Sequence, residues 1–164
     1  MRKHKESDQQ IRFVNWFRYH YPAFARLLEH PHNEGNAFNR HQQVIANKEG
    51  VTKGVADLLL HVPSLIGDLG NNSSLIMFTS LAIEMKSLKG TQSPEQKTWQ
   101  RLFEAAGGKY IIGRDFDKLT AEVTTYMENV PACIFNAVTE THADIQAEGD
   151  REAVELLKKI VKGE

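Results

Sequence analysis

The chain has 164 residues, of which 41% are hydrophobic and 25% charged, with a formal net charge of −1. That size fits one domain around a single core of three layers or fewer, with the composition of an ordinary soluble globular protein. No run is long and apolar enough to span a bilayer, polar residues rather than a secretory leader follow Met1-Arg2-Lys3-His4-Lys5, and a single cysteine excludes an internal disulfide; a cytoplasmic location is expected.

In chain order, Glu6 to His20 places Ile11, Val14 and Phe17 at helical spacing, with Phe13 and Tyr21 beside them and Pro22 closing the segment. The aromatic group Phe13, Trp16, Phe17, Tyr19 and Tyr21 reads as core at that spacing, with stacking on bases as the alternative. A short strand is expected around Arg26 to Glu29, a loop over His32 to Asn36, and a helix from Ala37 to Lys48 stopped by Gly50. His30, His32 and His41 with Asn33 and Asn39 raise the thought of a zinc or HNH-type site. Zinc, however, asks for four ligands, and neither a cysteine pair nor a carboxylate completes the set. Gly54 to Leu60 reads as a strand bearing Asp57, and Ser64 to Ser74 as a mobile hairpin loop rich in Gly and Asn.

An apolar run then ends in Ile83-Glu84-Met85-Lys86. After a polar turn, Ser93-Pro94-Glu95-Gln96 carries an N-cap, a proline at the first helical position and a capping-box glutamine. The helix that starts there is expected to bury Trp99, Leu102, Phe103 and Ala106 and to end at Gly107-Gly108, before a strand over Lys109 to Gly113. Leu119, Val123, Tyr126 and Met127 mark one further helix, and Val154, Leu157, Ile160 and Val161 another near the end. Cys133, in an apolar setting, reads as a buried structural thiol.

Two strands that look buried thus each carry charge. An unpaired charge on a core strand costs several kcal/mol, roughly, unless it is paired or binds a metal. Side chains alternate along a strand, so Glu84 and Lys86 share one face while Ile83 and Met85 fill the other. If the strands pair, Asp57, Glu84 and Lys86 converge at one sheet edge. Two carboxylates can hold a hard divalent cation, and a nearby lysine can position or deprotonate a water. That inventory suits phosphodiester hydrolysis.

Together, Gly50-Val51-Thr52-Lys53-Gly54-Val55-Ala56-Asp57-Leu58, Ile83-Glu84-Met85-Lys86, and Leu88-Lys89-Gly90 followed by Ser93-Pro94-Glu95-Gln96 resemble a VRR-NUC domain, a branch of the PD-(D/E)XK nuclease superfamily. The resemblance covers most of residues 6 to 119 and departs at Ala56, where the family usually has proline. It implies an α/β, restriction-endonuclease-like core with a small mixed sheet flanked by helices over residues 1–119. Residues 120–164 would form a helical C-terminal extension, packed on that core or at a dimer interface.

The implied activity is DNA phosphodiester hydrolysis with Mg2+ or Mn2+, in repair, recombination or phage DNA processing (in the host cytoplasm if phage-encoded), with flaps or junctions as plausible substrates. Asp57, Glu84, the Met85 backbone carbonyl and Glu6 would form the metal site, with Lys86 as the catalytic lysine. Gln96 matches a family glutamine, although its capping role explains it equally well; Gln10 matches a glutamine one helical turn after Glu6, and Asp8 rivals Glu6 as the first-helix acid. An RNase, or a nucleic-acid-binding module without turnover, are the alternatives. Basic residues gather early and around the motifs (Arg2, Lys3, Lys5, Arg12, Arg18, Lys86, Lys89, Lys97, Arg101, Lys109 and Arg114), whereas many acids fall after Glu122. This asymmetry fits a cleft that meets phosphates on one side of the molecule. The apolar positions of the C-terminal helices call for a partner surface, and a homodimer through them is expected.

Overall fold

The computed structural model describes residues 2–31, 45, 48, 50–66 and 76–162; the helix expected over Ala37 to Lys48 falls almost wholly outside them. Helix α1 (Arg2–His20) runs into a 3-10 helix (Pro22–Leu27) and then β1 (Leu28–Glu29). The strand expected from Arg26 is therefore shorter, because Pro22 starts a tight helical segment that persists to Leu27. Strands β2 (Leu58–Leu60), β5 (Leu81–Met85) and β6 (Lys109–Gly113) complete a four-stranded sheet in the order β1-β2-β5-β6. The first two pairings are antiparallel, while β5 and β6 are parallel. A parallel pair needs a crossover, and helix α2 (Pro94–Ala105) supplies it. Helices α3 (Phe116–Glu128) and α4 (Ala132–Lys162) follow.

The main core lies on the face of the sheet covered by α1 and α3. Phe13 and Phe17 from α1 meet Leu58 and Leu60 of β2, Ile83 and Met85 of β5, and Leu119, Val123 and Tyr126 of α3. The buried stripe of α1 is Phe13 and Phe17, both 0% exposed, whereas Ile11 is 60% exposed. At about 100° per residue, Ile11 sits roughly 200° around the helix from Phe13, so a stripe centred on the phenylalanines leaves it in water. Of the other aromatics, Trp16 and Tyr21 pack at the core margin and Tyr19 faces solvent.

The opposite face carries a smaller cluster of Ala56, Ala82 and Tyr110, against which Leu59, Trp99, Phe103 and Ile112 pack. Here α2 buries less than its sequence promises. Trp99 and Phe103 stack with ring centroids 4.7 Å apart, but Leu102 is 67% exposed, and no residue of the helix is fully buried. The small side chains beneath it let two aromatics, one turn apart, cover the site; Leu102 and Ala106 lie off that line.

Ser64, expected in a loop, begins β3 (Ser64–Ile66), which pairs antiparallel with β4 (Ile76–Phe78); residues 67–75 of the expected hairpin loop lie outside the described residues. Ser64 is pinned from the other side, since its hydroxyl donates to the Tyr126 carbonyl at 2.7 Å and the Tyr126 hydroxyl donates to the Val62 carbonyl at 2.6 Å. The last helix is one continuous segment of 31 residues rather than a short element near Val154. It starts directly after Pro131, whose carbonyl accepts from Ile134 and Phe135 N–H, and Gly149 does not interrupt it. Ile134 and Val138, four apart, pack on the core. Cys133, one position off that line, is exposed rather than buried. Among the described residues no helix is long and apolar enough to cross a membrane.

Candidate active site

The site forms where β5 leaves the sheet. Strand alternation sends Ile83 and Met85 into the main core and turns Glu84 toward the α2 side, where it is 0% exposed. A carboxylate with no water must be surrounded by donors, and this one is. Oε1 accepts from Lys86 Nζ and from Gln96 Nε2, while Oε2 accepts from the Tyr110 hydroxyl at 3.3 Å. Lys86 is itself only 12% exposed at its side chain.

Asp57 sits just ahead of β2 and is half-buried. Its Oδ2 accepts from the Met85 backbone N–H at 2.7 Å, which ties the acid of one strand to the end of the next. Glu6 arrives from the first turns of α1, and its Oε1 accepts from the Ser87 backbone N–H at 2.7 Å. The residues expected to act together, Asp57, Glu84, Lys86, Glu6 and Gln96, are thus brought to one end of the sheet by four segments of chain. Asp8 is exposed and takes no part.

Gln96 carries two duties from one side chain. Its Oε1 accepts from the Ser93 N–H at 2.9 Å to close the capping box, leaving the Nε2 end to reach Glu84. The cap and the contact to Glu84 are therefore compatible readings of the same residue.

Burial is the main cause that raises the Asp57 carboxyl above its usual range, and Glu6 adds to it, opposed by the Met85 N–H, Lys86 and His30. Glu84 is raised first by burial and then by Asp57, against the hydrogen bonds and charge of Lys86. Glu6 thus disfavours the charge on Asp57, and Asp57 the charge on Glu84, as carboxylates do when they converge on one site. A divalent cation bound between such carboxylates would relieve that tension. The donors are all hard oxygens, and Asp57 keeps Oδ1 clear of any protein hydrogen bond among the described residues. Among those residues no three His, Cys, Asp or Glu side chains close around one point. Carboxylate and backbone carbonyl oxygens are the donor types that a hard divalent cation takes while it keeps waters of its own.

Tyr110, the Ser87 N–H and the placement of His30 beside Asp57 rather than in a histidine site escape the sequence reading. Tyr110 holds the second oxygen of Glu84, and Gln92 Nε2 donates to its hydroxyl at 3.3 Å. The signal was present in the alternation of β6, which puts Tyr110 and Ile112 on the face that carries Glu84, but using it requires the register of β5 against β6. His30 stands with Nδ1 2.6 Å from the Asp57 carbonyl and 3.2 Å from Gln10 Nε2. Since a carbonyl only accepts, that nitrogen carries the proton in the shorter contact, the one to Asp57. His30 thereby belongs to the Asp57 neighbourhood, while His32 and His41 lie outside the described residues. The Ser87 N–H, a backbone group, orients Glu6.

No protein-family model matches the chain, and no curated protein matches it. A solved structure described as a VRR_NUC domain protein superposes with a TM-score of 0.58 at 16% sequence identity, over 76% of this chain and 89% of that one. At that identity the likeness is one of fold: an α/β domain whose mixed sheet is flanked by helices in the arrangement of a VRR_NUC domain.

Proposed function

We propose that this protein is a metal-dependent nuclease of the PD-(D/E)XK type that hydrolyses DNA phosphodiester bonds, with flaps and junctions as the first substrates to try. One observation carries the reading. A fully buried glutamate is paired to a nearly buried lysine two residues on, beside an aspartate from the neighbouring strand. Burying such a pair seldom improves stability over apolar side chains, so its presence in the second layer of a core is better explained by chemistry than by folding.

Asp57, Glu84 and the Met85 carbonyl would hold Mg2+ or Mn2+, with Glu6 reaching it through water. The bound ion would supply an acidified water and offset charge on the reacting phosphate. Glu84 is held in one orientation by Gln96 and Tyr110, so its free lone pairs are aimed before any ligand arrives. Lys86, steadied by Glu84, would orient the attacking water and donate to a non-bridging phosphate oxygen. Labelled duplex, single strand, flap, four-way junction and RNA, each with Mg2+ and with Mn2+, test the proposal. Cleavage of DNA that disappears in Asp57→Asn together with Mn2+ affinity measured calorimetrically is the expected result. Binding without turnover on every substrate would overturn it.

A further inference from the structure

We infer that Arg114 is a substrate-phosphate contact on the same face of the sheet as Lys86; this rests on the nuclease reading and extends it to a residue outside the metal-and-lysine set. The parallel register of β5 and β6 pairs Glu84 with Ile112 and Met85 with Gly113, and Lys86 N–H continues the ladder by donating to the Gly113 carbonyl at 3.0 Å. One rung further, Lys86 and Arg114 stand side by side. Register partners in a parallel pair share a face, so Arg114 emerges on the face of Glu84 and Lys86 just where the strands end.

Its guanidinium is held in place. Nη2 donates to the Gly90 carbonyl at 3.1 Å, and Gly90 N–H in turn donates to the Ser87 carbonyl at 2.8 Å. The turn after Lys86 is thus gripped at one end by Glu6, through Ser87 N–H, and at the other by Arg114. That single bond uses one of five N–H groups. Among the described residues the ion pairs are His61 with Glu29, Lys86 with Glu84, and Lys109 with Glu122, so Arg114 has no carboxylate partner there. A half-buried, oriented guanidinium with donors to spare is suited to a phosphate diester.

Charge arithmetic asks for such a group. Asp57, Glu84 and Glu6 against Lys86 leave the site formally negative, and the one lysine on the spot is already engaged by Glu84. A divalent cation held there would bring that sum only to neutrality, so a second protein cation on the approach side would supply the positive charge that draws in a phosphate.

The competing role is a pure clamp of the Ser87–Gly90 turn, and salt dependence separates the two. Binding of labelled flap DNA to the full chain is followed by anisotropy in Ca2+ between about 50 and about 200 mM salt, because each lost phosphate contact reduces the slope of log affinity against log salt by about one. Arg114→Gln is expected to weaken binding about tenfold at the low-salt end and to flatten the slope by about one, while Lys159→Gln on the exposed side of α4 changes neither. A lowered melting temperature with the wild-type slope would make Arg114 a clamp alone and overturn the inference. If Arg114→Gln does not fold, Arg114→Lys decides: weaker binding at an unchanged slope supports the contact, since charge is kept and the fork is lost, and wild-type affinity refutes it. Wild-type protein that binds no nucleic acid would remove the nuclease reading and this inference together, a result distinct from either Arg114 outcome.

Discussion

Strand β5 presents two buried faces built on opposite rules. Toward α1 and α3, Ile83 and Met85 are satisfied by volume, each surrounded by apolar side chains with no polar atom to place. Toward α2, Glu84 is satisfied by direction, through donors from Lys86, Gln96 and Tyr110 that arrive from three different places in the chain. Both faces exclude water, yet only the first gains stability from doing so. The second spends part of that gain to hold charge in a fixed geometry, and the separation of stability from activity along a single strand can be tested residue by residue.

The largest effect is expected on the charged face. Lys86→Ala should lower cleavage by about 100-fold or more while nucleic-acid binding and the far-UV spectrum persist, because Gln96 and Tyr110 still donate to Glu84. Near-wild-type turnover in that variant would falsify the assigned chemistry. On the apolar face Ile83→Ala should do the converse. A cavity in a 0%-exposed position costs about 2–5 kcal/mol, read by denaturant titration, with the specific activity of the folded fraction retained. An activity loss larger than the folded fraction explains would show that the two faces are coupled.

A smaller contrast lies on α1. Glu6→Gln weakens the acceptor for the Ser87 N–H and the approach to the metal, and should slow cleavage by about 10- to 100-fold, whereas exposed Asp8→Asn should leave rates unchanged. The opposite order in single-turnover kinetics would transfer the role to Asp8.

The finest comparison uses two tyrosines, one on each face. Tyr126 donates to the Val62 carbonyl and Tyr110 to Glu84, so each Phe variant removes one hydroxyl and nothing else. Tyr126→Phe should cost about 1 kcal/mol at neutral pH without touching the rate, whereas Tyr110→Phe should slow the reaction. Both hydroxyls have pKa values raised chiefly by burial. A raised folded-state pKa contributes stability below the unfolded value of about 10 that is lost as pH climbs beyond it, so each Phe variant should flatten the alkaline limb of the stability curve. An unchanged limb in both variants would mean that neither phenol governs it.

How far the sequence reveals this arrangement depends on the range of the interaction involved. Glu84 and Lys86 are legible because strand alternation is a rule of period two, and Gln96 because a capping box spans only four residues. Asp57 is legible because an acid at the head of an apolar run needs a reason. Tyr110 lies 26 residues from Glu84, and nothing local indicates that these two strands run parallel in that register. His30, which the sequence offers only for a zinc or HNH-type site, meets Asp57 across the sheet edge, a contact that no local pattern indicates. The misplaced apolar residues have a common cause. Ile11, Leu102 and Cys133 all sit on helices whose buried side is a narrow line of aromatic or branched residues one turn apart, and periodicity alone does not say which of two adjacent stripes faces inward.

Gly54 has a bearing on how the proposed activity could be lost through inheritance. It adopts a φ of +82°, and a β-carbon there would lie 2.5 Å from the backbone carbon of Glu95 and 2.7 Å from the Gln96 nitrogen. The segment leading to Asp57 is therefore seated directly on the start of α2, the turn from which Gln96 reaches Glu84. Any replacement of this glycine introduces the carbon that cannot fit against rigid backbone, and pushes the aspartate and the glutamine apart. A chain carrying such a change would keep every charged residue of the site and still misalign them. Among natural variants, an unaltered set of acids and lysine would be a poor guide to function unless position 54 were read alongside them.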